Sequence, residues 1–200
     1  MKELFDLKNP VWKFMGKLVD MMLLSGVWLL CSLPIVTIGA STVALYYATI
    51  KLSEDQETYV LKDFIGAFRA NLKQGIVAGL VAELIIVILV VDFSLICQID
   101  NSLGILMFWM MFVITAVFLM TVVHFFPLMA HCDTNLKNLL IMAFVIACKN
   151  PGWTFFMIIS VVVFVAVGLF WMMPILFIAI GGSAYLHSKI LNVLWKEYGL

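Results

Sequence analysis

Residues 31–41 read CSLPIVTIGAS, and they interrupt the first long apolar run of the chain. Leu, Val, Ile and Met crowd both flanks, yet the stretch itself holds a proline, a glycine and four small hydroxyl or thiol side chains. Pro34 lacks an N–H and disfavours helix at Leu33, and Gly39 permits a sharp backbone. Whether the chain turns back here decides how often it crosses a membrane and on which side its charges lie.

That a membrane is involved follows from composition. The chain has 200 residues, 64% hydrophobic and 12% charged, with a mean hydropathy of +1.13. An average soluble domain is about 25% charged, so too little charge remains to coat a soluble surface. The expectation is an all-α, polytopic membrane helical bundle forming a single transmembrane domain over residues 1–200. Twelve Lys and Arg balance twelve Asp and Glu, which argues against a nucleic-acid partner. The first 20 residues mix acids and lysines, and the run ending LLCSLP lacks a small-x-small cleavage pattern. Leu30 before Cys31 also makes a poor lipobox, so the first apolar segment is expected to stay in the protein.

Six apolar segments are legible: 18–33, 38–52, 75–97, 103–130, 152–173 and 174–192. A hydrocarbon core of about 30 Å needs ~20 helical residues. The third to fifth segments meet that need. The first two are short apart and too long together. Charge placement decides between one crossing and two. Basic residues stand at 2, 8, 13 and 17, at 51, 62, 69 and 73, at 137 and 149, and at 189 and 196. If residues 18–52 cross out and return, all twelve lie on one side, and the outer turns carry none. The positive-inside rule prefers that arrangement, with both termini cytoplasmic. The opening stretch is then the apex of a short, Pro-broken hairpin. Its arms reach only ~22–24 Å, which places the apex below the outer lipid surface. Irregular backbone at that depth must be buried in protein or line a polar cavity. Ser32, Thr37, Ser41 and Thr42 can satisfy the freed backbone groups. A packed turn is preferred over a substrate site lined by a broken helix, because a proline turn needs no ligand to exist.

Two amphipathic surface helices are expected on the cytoplasmic side, in LKDFIGAFRANLKQG (61–75) and LKNLLIMAFVIACKNPG (136–152). Apolar residues at 61, 64, 65, 68 and 72 share one helical face. Both stretches open on Leu-Lys, contain Ala-Phe, and lead into an outward-going span. This suggests an internal duplication of 38–97 and 103–173. A weaker echo links PIVTIGAS (34–41) to PILFIAIGGS (174–183).

With WLLCSLPIVTIGASTVALYY, YVLKDFIGAFRANLKQG and AFVIACKNP on the page, the chain resembles the YesL-type membrane family, a bacterial domain of unknown function. The resemblance covers nearly the whole chain. It implies a multi-pass bacterial inner-membrane protein associated with sugar uptake, since such proteins are often encoded beside carbohydrate ABC importers. It supplies no catalytic or ligand residues.

Among ionisable groups, Glu83 falls near mid-membrane, where a carboxyl is costly. It shares a face with Gly75 and Gly79 at i, i+4, i+8, a pattern that lets another helix approach closely. Asp92 lies about 180° away at ~100° per residue, so the two carboxyls cannot pair. Asp92 and Asp100 are expected near the outer interface. Ala40, Ala44 and Ala48 form a small-residue ridge that, with Gly75, Gly79 and the GGSA run 181–184, predicts a tight bundle. Glu83 is read either as a proton or polar-ligand group or as hydrogen-bonded to a neighbouring helix. His124, His131 and His187 are expected at the interface. His124 and His131 share a face near Cys132, but the spacing is not a standard metal spacing and no metal is expected. Cys31, Cys97, Cys132 and Cys148 are read as free buried thiols, the alternative being a disulfide between Cys31 and Cys97, both placed toward the outside, in an oxidising compartment. Trp12, Trp153 and Trp195 are expected at the inner interface and Trp171 at the outer one.

No nucleophile–base–acid pattern, phosphate loop or Cys-x-x-Cys occurs, so neither enzyme nor cofactor is expected. The preferred reading is an accessory or regulatory subunit in the lipid bilayer that binds a membrane partner such as an ABC sugar importer permease. Lys62, Arg69, Lys73, Lys137 and Lys149 would form its cytoplasmic partner surface. The alternative is a small-solute or proton-coupled transporter using Ser32, Pro34, Thr37, Gly39, Ser41 and Glu83. A scaffold with no ligand is the third.

Overall fold

A computed structural model of the chain describes residues 10–54, 59–99, 101–170 and 173–198. Trp171, Asp100, Lys2 and Lys8 lie outside them. The described residues form eight α-helices and no strand: α1 (Pro10–Cys31), α2 (Ile38–Ser53), α3 (Val60–Ala70), α4 (Leu72–Ile96), α5 (Ser102–His131), α6 (Leu136–Lys149), α7 (Pro151–Phe170) and α8 (Met173–Tyr198).

The breaks fall where the local chemistry requires them. Proline at the first position of α1 and of α7 costs no helical hydrogen bond. After Cys31 the chain tightens: Ser32 N–H is shared between the Trp28 and Leu29 carbonyls at 2.9 and 3.2 Å, and Leu33 N–H reaches the Leu30 carbonyl at 3.4 Å. Pro34 then takes an extended conformation before a short 3-10 turn, Ile35–Thr37, leads into α2. Asn71 alone separates α3 from α4, its side-chain amide donating back to the Ala67 carbonyl at 3.1 Å. The Asn101 side chain caps α5 by accepting from Gly104 N–H at 2.9 Å. Between α6 and α7 the chain bends by 102°. α1 begins eight residues before the expected segment at 18, so that arm of the hairpin is longer than its apolar core.

α2 sits at the centre, touching α1, α3, α4, α5 and α8. It contributes to two apolar clusters. In one, Val43 and Ile50 join Leu128, Leu139, Met157, Leu191 and Trp195. In the other, Ala44, Leu45 and Ala48 join Leu24, Phe64, Ala67 and Ala184. The alanine ridge expected from sequence is therefore the packed face of the central helix.

Outside this core the helices are apolar and bare. Nearly every side chain of α4 beyond Gly79, and of α5 before Thr121, is exposed or half-exposed. Helices apolar all round and exposed along their length suit a hydrocarbon solvent. Among the described residues, three helical stretches are long and apolar enough to cross a membrane: Ile35–Ser53, Leu72–Ile96 and Ser102–His131. A fourth is reached if the bent pair Leu136–Lys149 and Pro151–Phe164 counts as one span.

Two expectations are corrected here. Trp195 is only 2% exposed; it stacks on His131 at 4.3 Å in the core instead of joining an interfacial belt. Trp195 belongs to one apolar cluster with residues of α2, α5 and α6, which sequence position alone could not show. The four cysteines are free, but Cys97 and Cys148 are exposed, not buried.

Candidate functional site: the broken hairpin, its carboxyl neighbour and the basic end

The hairpin turn is held by its own hydroxyls. Thr37 Oγ1 donates to the Cys31 carbonyl at 2.5 Å and lies 2.7 Å from the Pro34 carbonyl. Ser32 and Ser41 bond to one another at 2.6 Å across the turn. Ser41 and Thr42 also donate to the Ile38 carbonyl, and the Trp28 indole N–H reaches Thr42 at 3.3 Å. Thr37 thus satisfies the Cys31 carbonyl left open by the break, while Ser41 and Thr42 bond back within the first turn of α2. The apolar side chains of the turn point outward: Leu33 is 76% exposed and Ile35 67%. The expectation of an apex buried in protein is corrected; what is buried is its hydrogen bonding, while its side chains face outward.

Gly39 places the turn against α4. A Cβ on Gly39 would lie 2.7 Å from the Gly79 Cα, and one on Gly75 would lie 2.6 Å from the Ala40 Cα. No side chain fits between the two backbones. Past this crossing α4 runs on to Ile96, roughly 25 Å of helix at ~1.5 Å per residue. The hairpin turn therefore lies beside the first half of α4, not at its far end.

Glu83 follows Gly79 by one turn on α4. It is half-buried, and its Oε1 is enclosed with no hydrogen-bond partner. The hairpin hydroxyls of Ser32, Thr37 and Ser41 are engaged with one another and with backbone carbonyls.

The most developed polar constellation is one that sequence reading missed. His187 on α8 is fully buried. Its Nδ1 pairs with the Tyr46 hydroxyl at 3.0 Å and its Nε2 with the Ser160 hydroxyl at 2.7 Å. Thr49–Ser188 at 2.9 Å and Ser53–Asn192 at 2.9 Å continue the ladder. These pairs climb both helices together, so α2 and α8 run parallel. Ser25 on α1 accepts from Gly181 N–H at 2.8 Å, and Gly181 leaves no room for a Cβ beside the Met21 carbonyl. On α5, His124 is also buried, with Nε2 2.9 Å from the Thr154 hydroxyl. His124 and His187 are thus core histidines, correcting the interfacial expectation. The signal was present as Tyr46, Thr49 and Ser53 at i, i+3, i+7, facing His187, Ser188 and Asn192. Because His124 turns to Thr154 and His131 to Trp195, those two rings serve different partners.

The predicted basic residues do not gather at one point. Lys62 and Arg69 are exposed at opposite ends of α3. Lys73 lies in the first turn of α4, not in the surface helix to which it was assigned, because Asn71 ends α3. α6 sets Lys137 and Lys149 at its two ends, roughly 18 Å apart at ~1.5 Å per residue. Lys149 Nζ lies 5.2 Å from the centre of the Tyr198 ring. Arg69 and Lys73 line a common groove, together with Asp133 and Asn135 of the α5–α6 connection. Beside it, burial and then the charge of Asp133 push the Cys132 thiol pKa up from its ordinary value.

Residues 21–93 match a family described as a protein of unknown function, DUF624, and this fits the resemblance to the YesL-type proteins. The matched stretch contains the hairpin, α2, α3 and the Gly39–Gly79 crossing. No curated protein and no solved structure matches the chain.

Proposed function

With the YesL-type, DUF624 family as the premise that residues 21–93 provide, we propose that this protein is a non-enzymatic accessory or regulatory subunit of the bacterial inner membrane. It crosses the bilayer in six segments with both termini cytoplasmic. It binds a polytopic partner of the carbohydrate ABC importer permease class. α3 and α6 lie along the cytoplasmic surface, and their exposed Lys62, Arg69, Lys137 and Lys149 are the contact residues. The succession of long, short and long helix in α2–α3–α4 and in α5–α6–α7 is read as a duplicated unit.

The single observation that carries this reading over transport is the closure of the hairpin. Its hydroxyls are consumed by local hydrogen bonds, and α2 meets α4 through backbone alone at Gly39 and Gly79. A substrate passing residues 31–41 would have to break those bonds and part that crossing. The 102° bend between α6 and α7 supports a surface position for α6.

Photocrosslinkers placed at Lys62 and Lys137 in native membranes test the proposal. The expected product is a stoichiometric adduct with one importer permease, identified by peptide mass. Adducts with lipid alone, or solute flux into liposomes containing only this protein that is lost in Glu83→Gln, would overturn it.

A further inference from the structure

α4 and α5 are consecutive, antiparallel and long, yet they touch sparsely, and along them lies a seam of three grooves in series whose chemistry changes along its length. At its foot lies a groove of about 660 Å³. Arg69 and Lys73 supply two cations there, and neither makes an ion pair among the described residues. Asp133 is the one carboxylate of the lining, so the groove keeps a net positive charge. Asn71 and Asn135 stand at the N-termini of α4 and α6, and neither side chain caps its helix. The C-terminal ends of α3 and α5 border the same space, so the helix ends offset one another and the side-chain cations set its charge.

One turn further along α4 the lining becomes apolar. A cleft of about 320 Å³ runs between Val77, Val81 and Ile85 on one side and Phe118 and Phe125 on the other, with Leu136 and Leu140 of α6 completing its lining. Phe118 also lines the next cleft, about 630 Å³, which continues to Phe93 and Cys97 at the far end of α4. From Val77 to Cys97 the two clefts run roughly 30 Å along α4 at ~1.5 Å per residue, and the first of them, Val77 to Ile85, takes the half nearer the polar foot. An acyl chain spans about half of a ~30 Å hydrocarbon core, so the lengths agree. The polar foot sits where the candidate spans begin and end, at Leu72 and His131.

We infer that the α4–α5 seam is a binding site for one anionic diacyl phospholipid, its phosphate held by Arg69 and Lys73 and an acyl chain laid between Val81 and Phe118. A cationic groove alone would take any phosphate. An apolar groove alone would take any lipid. Their end-to-end arrangement on the same two helices selects a molecule with both parts. This inference rests on the seam and not on the identity of any protein partner.

The test uses the full chain purified in detergent, with native mass spectrometry of retained phosphatidylglycerol against phosphatidylcholine of the same acyl chains. Retention of phosphatidylglycerol is expected to dominate. The preference should fall about five-fold for each cation removed in Arg69→Gln and Lys73→Gln. The charge-matched pair Lys189→Gln and Lys196→Gln, exposed on α8 and outside the groove, should leave it unchanged. Ala82→Trp, which fills the apolar cleft, should lower retention of both lipids; if that variant fails to fold, the charge arms still decide. Equal retention of the two lipids, indifference to Arg69→Gln and Lys73→Gln, or displacement of the lipid by millimolar inorganic phosphate would overturn the assignment, the last by reducing the groove to a free-anion site.

Discussion

Gly39 of α2 and Gly79 of α4 meet through their backbones: a methyl group on Gly39 would lie 2.7 Å from the Gly79 Cα, and one on Gly79 would lie 2.9 Å from the Gly39 Cα. Helices in lipid gain no hydrophobic drive from one another, so their association depends on such close approach. Gly39→Ala or Gly79→Ala must push the two backbones apart, at a cost of about 1–3 kcal/mol. The thermal midpoint in detergent is expected to fall for both. Gly66→Ala, where a Cβ meets nothing within 4 Å, is expected to hold or raise it, since alanine favours a helix over glycine by about 1 kcal/mol. Equal effects at Gly39 and Gly66 would show that the crossing does not hold the bundle.

The ladder on α8 is the second support. Tyr46→Phe removes one hydroxyl from His187 and is expected to cost about 1 kcal/mol. His187→Ala leaves the Tyr46 hydroxyl without its partner, leaves Ser160 only its bond to the Met157 carbonyl and opens a cavity, so a loss of about 2–4 kcal/mol is expected. The double variant should lose less than the sum, because the two residues share one bond. Strict additivity in chemical denaturation would mean that the ladder is not a coupled network.

How much of this was legible beforehand can be judged residue by residue. Helix existence was readable: the apolar segments and the two short amphipathic stretches recur as α1 to α8, because length and apolar run decide helices in lipid. The Gly39, Gly75 and Gly79 contact was readable from small-residue spacing. Trp195, His124 and His187 were misplaced, because a tryptophan or histidine near a helix end is assigned to the interface by default. Whether a neighbouring helix covers it is a tertiary fact. The α4–α5 seam was invisible because helices apolar on all sides carry no periodicity to show which face meets which. Lys73 was placed on the wrong helix because a single asparagine, not a proline or glycine, makes the break.

Thiol chemistry at the foot of α5 gives a test of local electrostatics. Burial, and secondarily the charge of Asp133, raises the Cys132 pKa. The thiolate is the reactive form, so alkylation of Cys132 at neutral pH should be slower than for a free cysteine, and its rate should keep rising into alkaline pH. Asp133→Asn removes the smaller cause only, so the profile should move part of the way toward lower pH. A profile unmoved by Asp133→Asn, measured by mass shift over time, would remove the carboxylate from the account.

Sidedness carries the proposed function, and the hairpin sets it. In a chain with all four cysteines replaced, a membrane-impermeant maleimide is expected to label Gln98→Cys in intact cells and Tyr59→Cys only after permeabilisation. Tyr59 is 80% exposed, so a lack of reaction there could not come from packing. Leu33→Cys is the decisive position. Its side chain is open, but the turn lies beside the first half of α4, a level occupied by acyl chains if α4 spans the bilayer. It should therefore resist a polar maleimide from either side and react with a lipid-soluble one. Labelling of Leu33→Cys from outside would mean that water reaches the turn, and would move the balance toward transport through the hairpin. Labelling of Tyr59→Cys in intact cells would mean that residues 18–52 cross once, dividing the basic residues between the two faces and separating the N-terminal lysines from Lys62 and Arg69.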